Sequence, residues 1–466
     1  MVVDVHAIDG KPAAPDERFD VVVVGAGDAG TAAAIAAAGE GATVLLVDEN
    51  PVRGELMGSD VPLFYGGRMT AAVQQPGRML EQIFASNPAL EAAMEAGVDV
   101  RLGTCAWGLY ANGPAMRALP EPMLGIADAE RATMIGFGRL VLATGARDLV
   151  LGFAGWDRPG VMGAQGFAAL LTRYDAFAGR RVLIVGSGAL ALETARLALS
   201  HGIAVAGIVE IADGVQSSAL GDLGVPLFLG HTIVAVEGGI EGVDGATLAM
   251  PGTPERTGVA CDTVILAIGA IPATELLDAA GVRPSETIAL VGDCASVAQP
   301  DSATLQAWSS ALGRHAPPET IVCQCEDVTR ADLIGVQPPR YLDRPERMAE
   351  RSLSTLLADG PAHPDQIKRL TRAGMGQCQG RRCREQVACL LAEKQGIPLD
   401  RVPIASFRTP VRPVPLGILA DWHESAAMTA GWDVWFGIPT QWTPYAIIGT
   451  PEEAEQVSGL GGNMHV

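Results

Sequence analysis

Residues 19–30 read Phe-Asp-Val-Val-Val-Val-Gly-Ala-Gly-Asp-Ala-Gly, and this stretch decides the fold. Phe19 to Val24 is the apolar run of a buried strand, and it stops abruptly at a glycine-rich turn. An alanine-rich helix over Thr31 to Ala38 follows the turn, and Ala42 to Val47 predicts the next strand. The segment therefore predicts a β-α-β unit, the building block of a parallel sheet.

Three glycines in this turn have separate tasks in a nucleotide site. Gly25 makes the tight turn, Gly27 lets the backbone approach a pyrophosphate, and Gly30 allows close contact between helix and strand. The helix N-terminus offers N–H groups and a favourable dipole to the phosphates. Asp48 lies 18 residues after Gly30, at the end of the second strand, where a carboxylate accepts hydrogen bonds from ribose hydroxyls. The combination favours a nucleotide site over a purely structural turn.

One residue of the turn departs from this pattern. Asp28 places a carboxylate in the phosphate loop, where it can cap the helix but repels a diphosphate. Either Arg53 compensates for that charge as part of the nucleotide site, or Asp28 points to solvent. The sequence leaves both interpretations open.

A second β-α-β unit repeats the fingerprint. Arg181 to Val185 predicts its first strand, and Ile203 to Val209 predicts its second. Between them, Gly186 and Gly188 occupy the first two glycine positions and Ala191 the third. Glu210 lies 19 residues past Ala191 and favours NAD over NADP, because a carboxylate repels a 2′-phosphate. The alternative is a retained fold with an empty site.

Composition limits the partners and the compartment. The chain has 466 residues, 48% of them hydrophobic, which predicts about three domains with ample cores. A net charge of −20 argues against a nucleic-acid partner. We expect no transmembrane segment, because no apolar run reaches about 18 residues, and residues 1–10 do not resemble a signal peptide. Eight cysteines without such a signal favour metal ligation in a reducing compartment, with the cytoplasm as the default.

Four of the cysteines form two close pairs. Cys323 and Cys325 form a C-x-C pair, Cys378 and Cys383 form a C-x4-C pair, and the pairs are 53 positions apart. Thiolates are soft ligands that suit iron–sulfur clusters or zinc. Structural zinc usually takes C-x2-C knuckles, so this spacing favours a [2Fe–2S] cluster. Zinc and unligated core cysteines are the alternatives.

The sequence offers no candidate catalytic residue. A disulfide reductase is disfavoured, because residues 50–60 contain no cysteine and Cys105, Cys261 and Cys294 are far apart in sequence. The histidines form no catalytic arrangement with acidic residues or serines. We therefore assign no residue of this chain to bond-breaking chemistry.

Two further motifs resemble those of the two-dinucleotide-domain FAD/NAD(P) oxidoreductases. Residues 142–147, Leu-Ala-Thr-Gly-Ala-Arg, resemble the ATG motif that approaches the flavin nucleotide. Residues 291–294, Val-Gly-Asp-Cys, resemble the late G-D motif, whose carboxylate holds the ribityl chain. Over residues 19–300 the resemblance implies an α/β, disulfide-reductase-like fold. It also implies an FAD site that includes Thr144, Gly145 and Asp293.

The cysteine segments narrow the resemblance. Residues 321–329 and 367–383 resemble the bacterioferritin-associated-ferredoxin-like [2Fe–2S] domain, which implies that all four cysteines are cluster ligands. Fused to a flavoprotein, this domain resembles the alpha (A) subunit of heteromeric amine and amino-acid dehydrogenases. These include opine oxidase or dehydrogenase, proline and D-hydroxyproline dehydrogenases, hydrogen cyanide synthase and, more distantly, sarcosine oxidase. Residues 155–162 and 407–414 resemble further stretches of the same subunits.

The resemblance implies four regions. Residues 19–152 and 285–315 form an FAD-type dinucleotide-binding domain, and residues 153–284 form an NAD-like one. Residues 316–395 form a small, mainly helical [2Fe–2S] domain. Residues 396–466 form a C-terminal extension that is either a partner interface or a self-packed element. It carries Trp422, Trp432, Trp435 and Trp442.

The implied function is electron transfer within a complex. A beta subunit oxidises a C–N bond of an amino acid, opine or related amine at its own flavin, with or without a small third subunit. Electrons then pass through this chain to a downstream acceptor. Some members bind ATP in place of FAD, and some hold FMN at a subunit interface. A stand-alone NADH:acceptor reductase and a non-catalytic nucleotide-binding scaffold are the alternatives.

Overall fold

The computed structural model describes residues 14–51, 76–113, 119–239, 241–250, 253–297, 299–338, 351–420, 447 and 450–459. In these ranges the strands are β1 Glu17–Val24, β2 Val44–Asp48, β3 Asp99–Leu102, β4 Cys105–Tyr110, β5 Met123–Ala127, β6 Ala132–Leu142, β7 Ala146–Asp148, β8 Val161–Gly163, β9 Arg181–Val185, β10 Ala204–Glu210, β11 Leu227–Leu229, β12 Thr232–Gly239, β13 Gly242–Ala249, β14 Arg256–Ala260, β15 Thr263–Leu266, β16 Ala270–Pro272, β17 Ile288–Leu290, β18 Ile321–Cys323 and β19 Val328–Thr329.

The α-helices in the same ranges are α1 Asp28–Gly39, α2 Pro76–Ser86, α3 Ala89–Glu95, α4 Ala164–Ala168, α5 Ala189–Ser200, α6 Glu275–Ala280, α7 Asp293–Ser296, α8 Ser302–Gly313, α9 Arg330–Gly335, α10 Leu353–Asp359, α11 Pro364–Thr371, α12 Arg384–Gln395, α13 Leu416–Ala420 and α14 Pro451–Gly459. No described helix is long and apolar enough to cross a bilayer.

The first sheet has the strand order β3-β2-β1-β6-β5-β4, with β17 paired to β6. Strand β1 is central and pairs in parallel with both β2 and β6. Its side chains alternate between two apolar clusters: Val21 and Val23 enter one, and Val22 and Val24 enter the other. A strand covered on both faces needs a continuous apolar run, which is what Val21 to Val24 supply.

The second sheet has the order β11-β10-β9-β15-β8, and all of its described pairings are parallel. It repeats the β-α-β arrangement through β9, α5 and β10. A three-stranded antiparallel sheet, β12-β13-β14, lies between β11 and β15 in the chain. The short antiparallel pair β7 and β16 carries the chain out of the first sheet and back.

The cysteine segments belong to the same apolar core as the second sheet. Strands β18 and β19 form a short antiparallel ladder, and helices α9 to α12 follow it in the chain. One continuous cluster of buried side chains contains Val161, Val185 and Val264 from the second sheet together with Cys383 and Leu390. The cysteine region therefore shares a core with the body of the protein.

The predicted elements of both β-α-β units form, with ends that move by a few residues. The first helix begins at Asp28, three residues earlier than predicted, because the turn glycines themselves lead directly into helical backbone. The strand predicted over Arg181 to Val185 has the observed bounds. The tryptophans predicted to serve an interface lie outside the described residues.

Candidate nucleotide-binding and cysteine sites

The first glycine turn has the backbone that the sequence pattern predicts. Gly25 has a φ of +105°, and a Cβ there would lie 2.2 Å from the carbonyl oxygen of Ala143. A Cβ on Gly30 would lie 1.8 Å from the carbonyl oxygen of Gly25. Gly27 differs, because nothing lies within 4 Å of its Cβ position. The turn is thus closely packed at its first and third glycines and open at the second, where a pyrophosphate would approach.

Asp48 lies beside this turn at the end of β2. One carboxylate oxygen accepts a hydrogen bond from the Ala26 N–H at 2.7 Å. The other accepts from the backbone N–H and the side-chain amide of Asn50, both at 2.8 Å. Asp28 is exposed at the start of α1, so its carboxylate points to solvent. Arg53 lies outside the described residues.

Two other predicted residues meet the same end of α1. The turn before Asp293 packs on that helix, since a Cβ on Gly292 would lie 2.9 Å from the Ala29 side chain. Asp293 itself is exposed. Thr144 donates its hydroxyl hydrogen to the carbonyl of Ala273 at 2.6 Å, and the next residue, Gly145, has a φ of +70°. The first turn, the ATG segment and the G-D segment therefore converge, and the open Gly27 fits the phosphates of a bound dinucleotide.

The second glycine turn has similar backbone but different side chains around it. Gly186 has a φ of +106°, nearly that of Gly25. Glu210 is 1% exposed and accepts hydrogen bonds from the hydroxyl of Ser187 and the amide of Gln216. Gly188 is partly exposed, as Gly27 is, but a Cβ there would lie 3.3 Å from the side-chain oxygen of the exposed Gln216.

The four predicted cysteine ligands come together although 53 positions separate Cys325 from Cys378. The Sγ atoms of Cys323 and Cys325 are 3.9 Å apart, and those of Cys325 and Cys378 are 3.6 Å apart. Cys323 also interacts with Cys383, which is the residue just before α12. With a metal–sulfur bond of about 2.3 Å, two ligands on one tetrahedral ion are about 3.8 Å apart. The measured separations fit pairs of metal-bound thiolates.

Glycines allow the backbone to approach these sulfur atoms closely. The N–H of Gly374 donates to the Cys323 sulfur at 3.4 Å. A Cβ on Gly376 would lie 2.4 Å from the sulfur of Cys325. In the described part of the chain, no group of three or more His, Cys, Asp or Glu side chains is arranged around a single ion position.

Without a metal, these thiols hold their protons firmly. Contact with Cys323 raises the pKa of Cys325 to about 11. Contact with Cys325, together with burial, raises the pKa of Cys378 well above its usual range. Metal binding must therefore displace protons from this group.

A buried ionic network joins the cysteine loop to the ATG segment. Arg147 donates to the carboxylate of Glu385 at 2.6 Å, to that of Glu275 at 3.2 Å and to the backbone carbonyl of Arg381 at 2.6 Å. Arg381 in turn lies 3.4 Å from Glu275 and donates to the carbonyl of Cys378 at 3.2 Å. All four side chains are buried. Arg147 thus connects the strand after Gly145 to the loop between Cys378 and Cys383.

Sequence reasoning missed this network and the residues around Glu210. Arg147 was visible in the ATG segment, but its carboxylate partners are 128 and 238 positions away. Nothing local marks Ser187 or Gln216 as partners of Glu210. A buried charge needs a partner, so Arg147 in an apolar stretch was the available signal.

Comparisons with known proteins agree with this architecture. Residues 19–299 match the pyridine nucleotide-disulphide oxidoreductase family, and residues 338–422 match the sarcosine oxidase A3 domain. The chain is 26% identical to the A subunit of opine oxidase from Agrobacterium tumefaciens (strain Ach5), over 88% of this chain and 93% of that protein. It is 25% identical to the HcnB subunit of hydrogen cyanide synthase from Pseudomonas aeruginosa, over 83% of this chain and 98% of that protein.

Two further comparisons concern length and fold. The chain is 26% identical to the alpha subunit of sarcosine oxidase from Rhizobium meliloti (strain 1021), over 87% of this chain but 42% of that protein. L-proline dehydrogenase from P. horikoshii has the same fold, with a TM-score of 0.54 and 20% identity over 86% of this chain and 80% of that one. The predicted fold class and the resemblance to alpha subunits are both confirmed.

Proposed function

The chain belongs to the pyridine nucleotide-disulphide oxidoreductase family, and we propose that it is the electron-transfer (alpha) subunit of a heteromeric flavin and iron–sulfur dehydrogenase or oxidase. A partner beta subunit would oxidise a C–N bond of an amino acid, opine or related amine. The family is one of oxidoreductases. Disulfide reduction is disfavoured, because residues 50–60 contain no cysteine and Cys105, Cys261 and Cys294 are far apart in sequence.

The convergence of four thiols is the observation that carries this proposal. Cys325 and Cys378 come from distant segments and have their sulfur atoms 3.6 Å apart, and Cys323 lies 3.9 Å from Cys325 within the first segment. Glycines pack against these sulfur atoms. Three of these thiols are buried and Cys325 is half-buried, and thiolates are the soft ligands that iron–sulfur clusters take. Relatives aligned over more than four-fifths of this chain are named as subunits of opine oxidase and hydrogen cyanide synthase.

We assign the cofactors as follows. Gly25, Gly27, Gly30, Asp48, Thr144, Gly145 and Asp293 would hold FAD, or ATP in its place, and Arg53 would lie near the same nucleotide. Cys323, Cys325, Cys378 and Cys383 would hold a [2Fe–2S] cluster, and FMN would lie at the interface with the beta subunit. When bound, flavin and cluster together supply the conversion of two-electron into one-electron transfer.

This chain's own residues then have binding and positioning roles. The first turn binds the diphosphate with backbone N–H groups. The glycines around the sulfur atoms keep side-chain atoms away from the cluster position. Gly374 donates a hydrogen bond to Cys323 that favours its thiolate form. A downstream acceptor would take the electrons, and the cytoplasm is the compartment we propose.

Metal analysis tests the cysteine assignment. We expect the protein, purified without oxygen, to contain about two iron and two acid-labile sulfide per chain. C325S and C378S should lose both, whereas the matched control C389S should keep them, because Cys389 lies within α12 away from the group. A colourless protein with one zinc per chain would contradict the iron–sulfur assignment.

Co-purification tests whether the chain works within a complex. We expect a flavoprotein beta subunit to purify with this chain, and we expect the complex, but not the chain alone, to oxidise an amine. Amine-dependent bleaching of the cluster absorbance in the complex would rule out a scaffold. A chain that purifies alone and oxidises amines by itself would contradict the proposal.

A further inference from the structure

The second glycine turn is built as a dinucleotide turn in its backbone. Gly186 and Gly25 have φ values of +106° and +105°, and each is packed against a backbone carbonyl, of Ala267 and Ala143 respectively. Helices α5 and α1 each begin directly after the second glycine of their turn. The two turns therefore differ in what surrounds them and not in their backbone.

The space over the second glycine is one such difference. Gly27 has nothing within 4 Å of its Cβ position, whereas Gly188 faces the side-chain oxygen of Gln216 at 3.3 Å. The backbone of Gln216 is held beside the turn, because its N–H donates to the hydroxyl of Ser187 at 2.9 Å. The next residue, Ser217, donates its N–H to the Ser187 carbonyl, also at 2.9 Å. The segment after β10 thus lies across the turn where a pyrophosphate would approach.

The carboxylate of Glu210 is the second difference. Ser187 donates its hydroxyl to Glu210 at 2.5 Å, and the Gln216 amide donates to the same oxygen at 3.3 Å. The backbone N–H of Ala212 donates to the other oxygen at 3.1 Å. Ser187 is fully buried and Glu210 is 1% exposed. Asp48 of the first turn also accepts hydrogen bonds but is half-buried, whereas Glu210 is buried beneath these contacts. A ribose could therefore reach Glu210 only if the neighbouring side chains moved.

We propose that Ser187 and Gln216 close the second nucleotide turn against NAD(H), so that electrons do not enter this chain from a nicotinamide. The Gln216 side chain lies over the phosphate position. The Ser187 hydroxyl is hydrogen-bonded to the Glu210 carboxylate, which would otherwise bind the ribose. The proposal concerns the second turn alone and does not depend on which nucleotide or metal occupies the first turn and the cysteine group.

Titration with NADH, followed by the change in its fluorescence, tests this closure in the full-length chain. We expect no saturable binding by the wild-type protein. The double variant S187A/Q216A should bind NADH at least about tenfold more tightly, because both contacts that compete for the site are gone. The control pair S200A and Q165A changes the same residue types elsewhere in the second domain and should leave NADH binding unchanged.

Titration with NADPH distinguishes binding at the opened second turn from binding elsewhere on the protein. Glu210 remains in S187A/Q216A, so NADPH should bind more weakly than NADH because its 2′-phosphate is repelled. Saturable NADH binding by the wild-type protein would overturn the proposal, and that measurement stands even if the double variant fails to fold. Equal binding of NADH by wild type and by a folded double variant would overturn it as well. Iron content is unaffected by either result, so the cluster assignment is judged separately.

Discussion

At the scale of single residues, Gly30 is needed for the packing of the first turn, whereas Gly27 is needed for nucleotide binding. A methyl group at position 30 would collide with the carbonyl of Gly25 at 1.8 Å, whereas one at position 27 would meet nothing within 4 Å. Backbone cannot move aside as a flexible side chain can. We expect the free energy of unfolding of G30A to fall by about 1–3 kcal/mol, and that of G27A to change little.

Nucleotide retention per folded molecule should show the opposite order, with G27A affected more than G30A. G27A leaves the fold intact but places a methyl group where the pyrophosphate must approach the backbone. We expect folded G27A to retain less nucleotide than wild type, measured by absorbance after denaturation. Thermal unfolding of the nucleotide-free proteins checks the stability difference, and equal melting temperatures for G30A and G27A would contradict the packing argument.

Asp148 makes a second residue-scale prediction, on the pH dependence of stability. Its carboxylate accepts hydrogen bonds from the N–H groups of Gln165 and Gly166 at 2.8 and 3.0 Å, at the start of α4. The carboxyl group is packed against the backbone of Gly163, although the residue as a whole is partly exposed. Burial outweighs the hydrogen bonds and raises the pKa of Asp148 to about 6, from 3.8.

A raised native pKa means that the folded state holds the proton more tightly than the unfolded state. The stability that this group contributes is complete below pH 3.8 and is lost as pH rises through about 6. D148N lacks this titration, so its destabilisation relative to wild type should be larger near pH 4 than at pH 7.5. The full shift corresponds to about 3 kcal/mol, an upper limit for a partly exposed residue. Melting temperatures of both proteins across this range check it, and a constant difference would exclude Asp148 as the cause.

At the scale of elements, Arg147 holds β7, α6, the cysteine loop and α12 together. Burial alone would raise the pKa of Glu385, yet the adjacent Arg147 outweighs burial and holds that pKa below its usual range. Removing one partner of such a network leaves an uncompensated buried charge, which costs about 3–5 kcal/mol. We therefore expect R147M to lose stability on that scale, and R147M/E385Q to recover part of it.

A partly exposed ion pair provides the control for this prediction. Arg101 contacts Glu17 at 2.6 Å and Asp99 at 2.7 Å in the first sheet, with its side chain 21% exposed. R101M should cost no more than about 1 kcal/mol, because water and salt screen such pairs. Thermal and denaturant unfolding compare the variants. If R147M were as mild as R101M, the network would not tie these elements together.

The same network shows which features could be predicted from the sequence. The two β-α-β units follow from local apolar runs and glycine spacing, since each unit is contiguous in the chain. The four cysteines were identifiable because their residue type and spacing are unusual. The partners of Arg147, and Gln216 beside Glu210, could not be found this way, because side-chain pairing across a fold leaves no periodic pattern. Whether an acidic residue such as Glu210 is available to a ribose depends on those unpatterned neighbours.

At the scale of the whole molecule, the cysteine region should not unfold separately from the second sheet. Val161, Val185 and Val264 of that sheet share one buried cluster with Cys383 and with Leu390 of α12. A shared apolar core couples the unfolding of the parts that line it. We expect the loss of visible cluster absorbance and the loss of far-UV circular dichroism to have the same midpoint on heating.

A substitution in the shared core should move both transitions together. Leu390 is 6% exposed, so L390A should cost about 2–5 kcal/mol through lost apolar contacts and the cavity left behind. The control L199A removes the same atoms from a side chain that is 40% exposed in α5 and should cost far less. If L390A released the cluster well below the temperature at which circular dichroism changes, the cysteine region would be an independent domain. Coincident shifts of both midpoints would instead show that the thiol group and the second sheet fold as one unit.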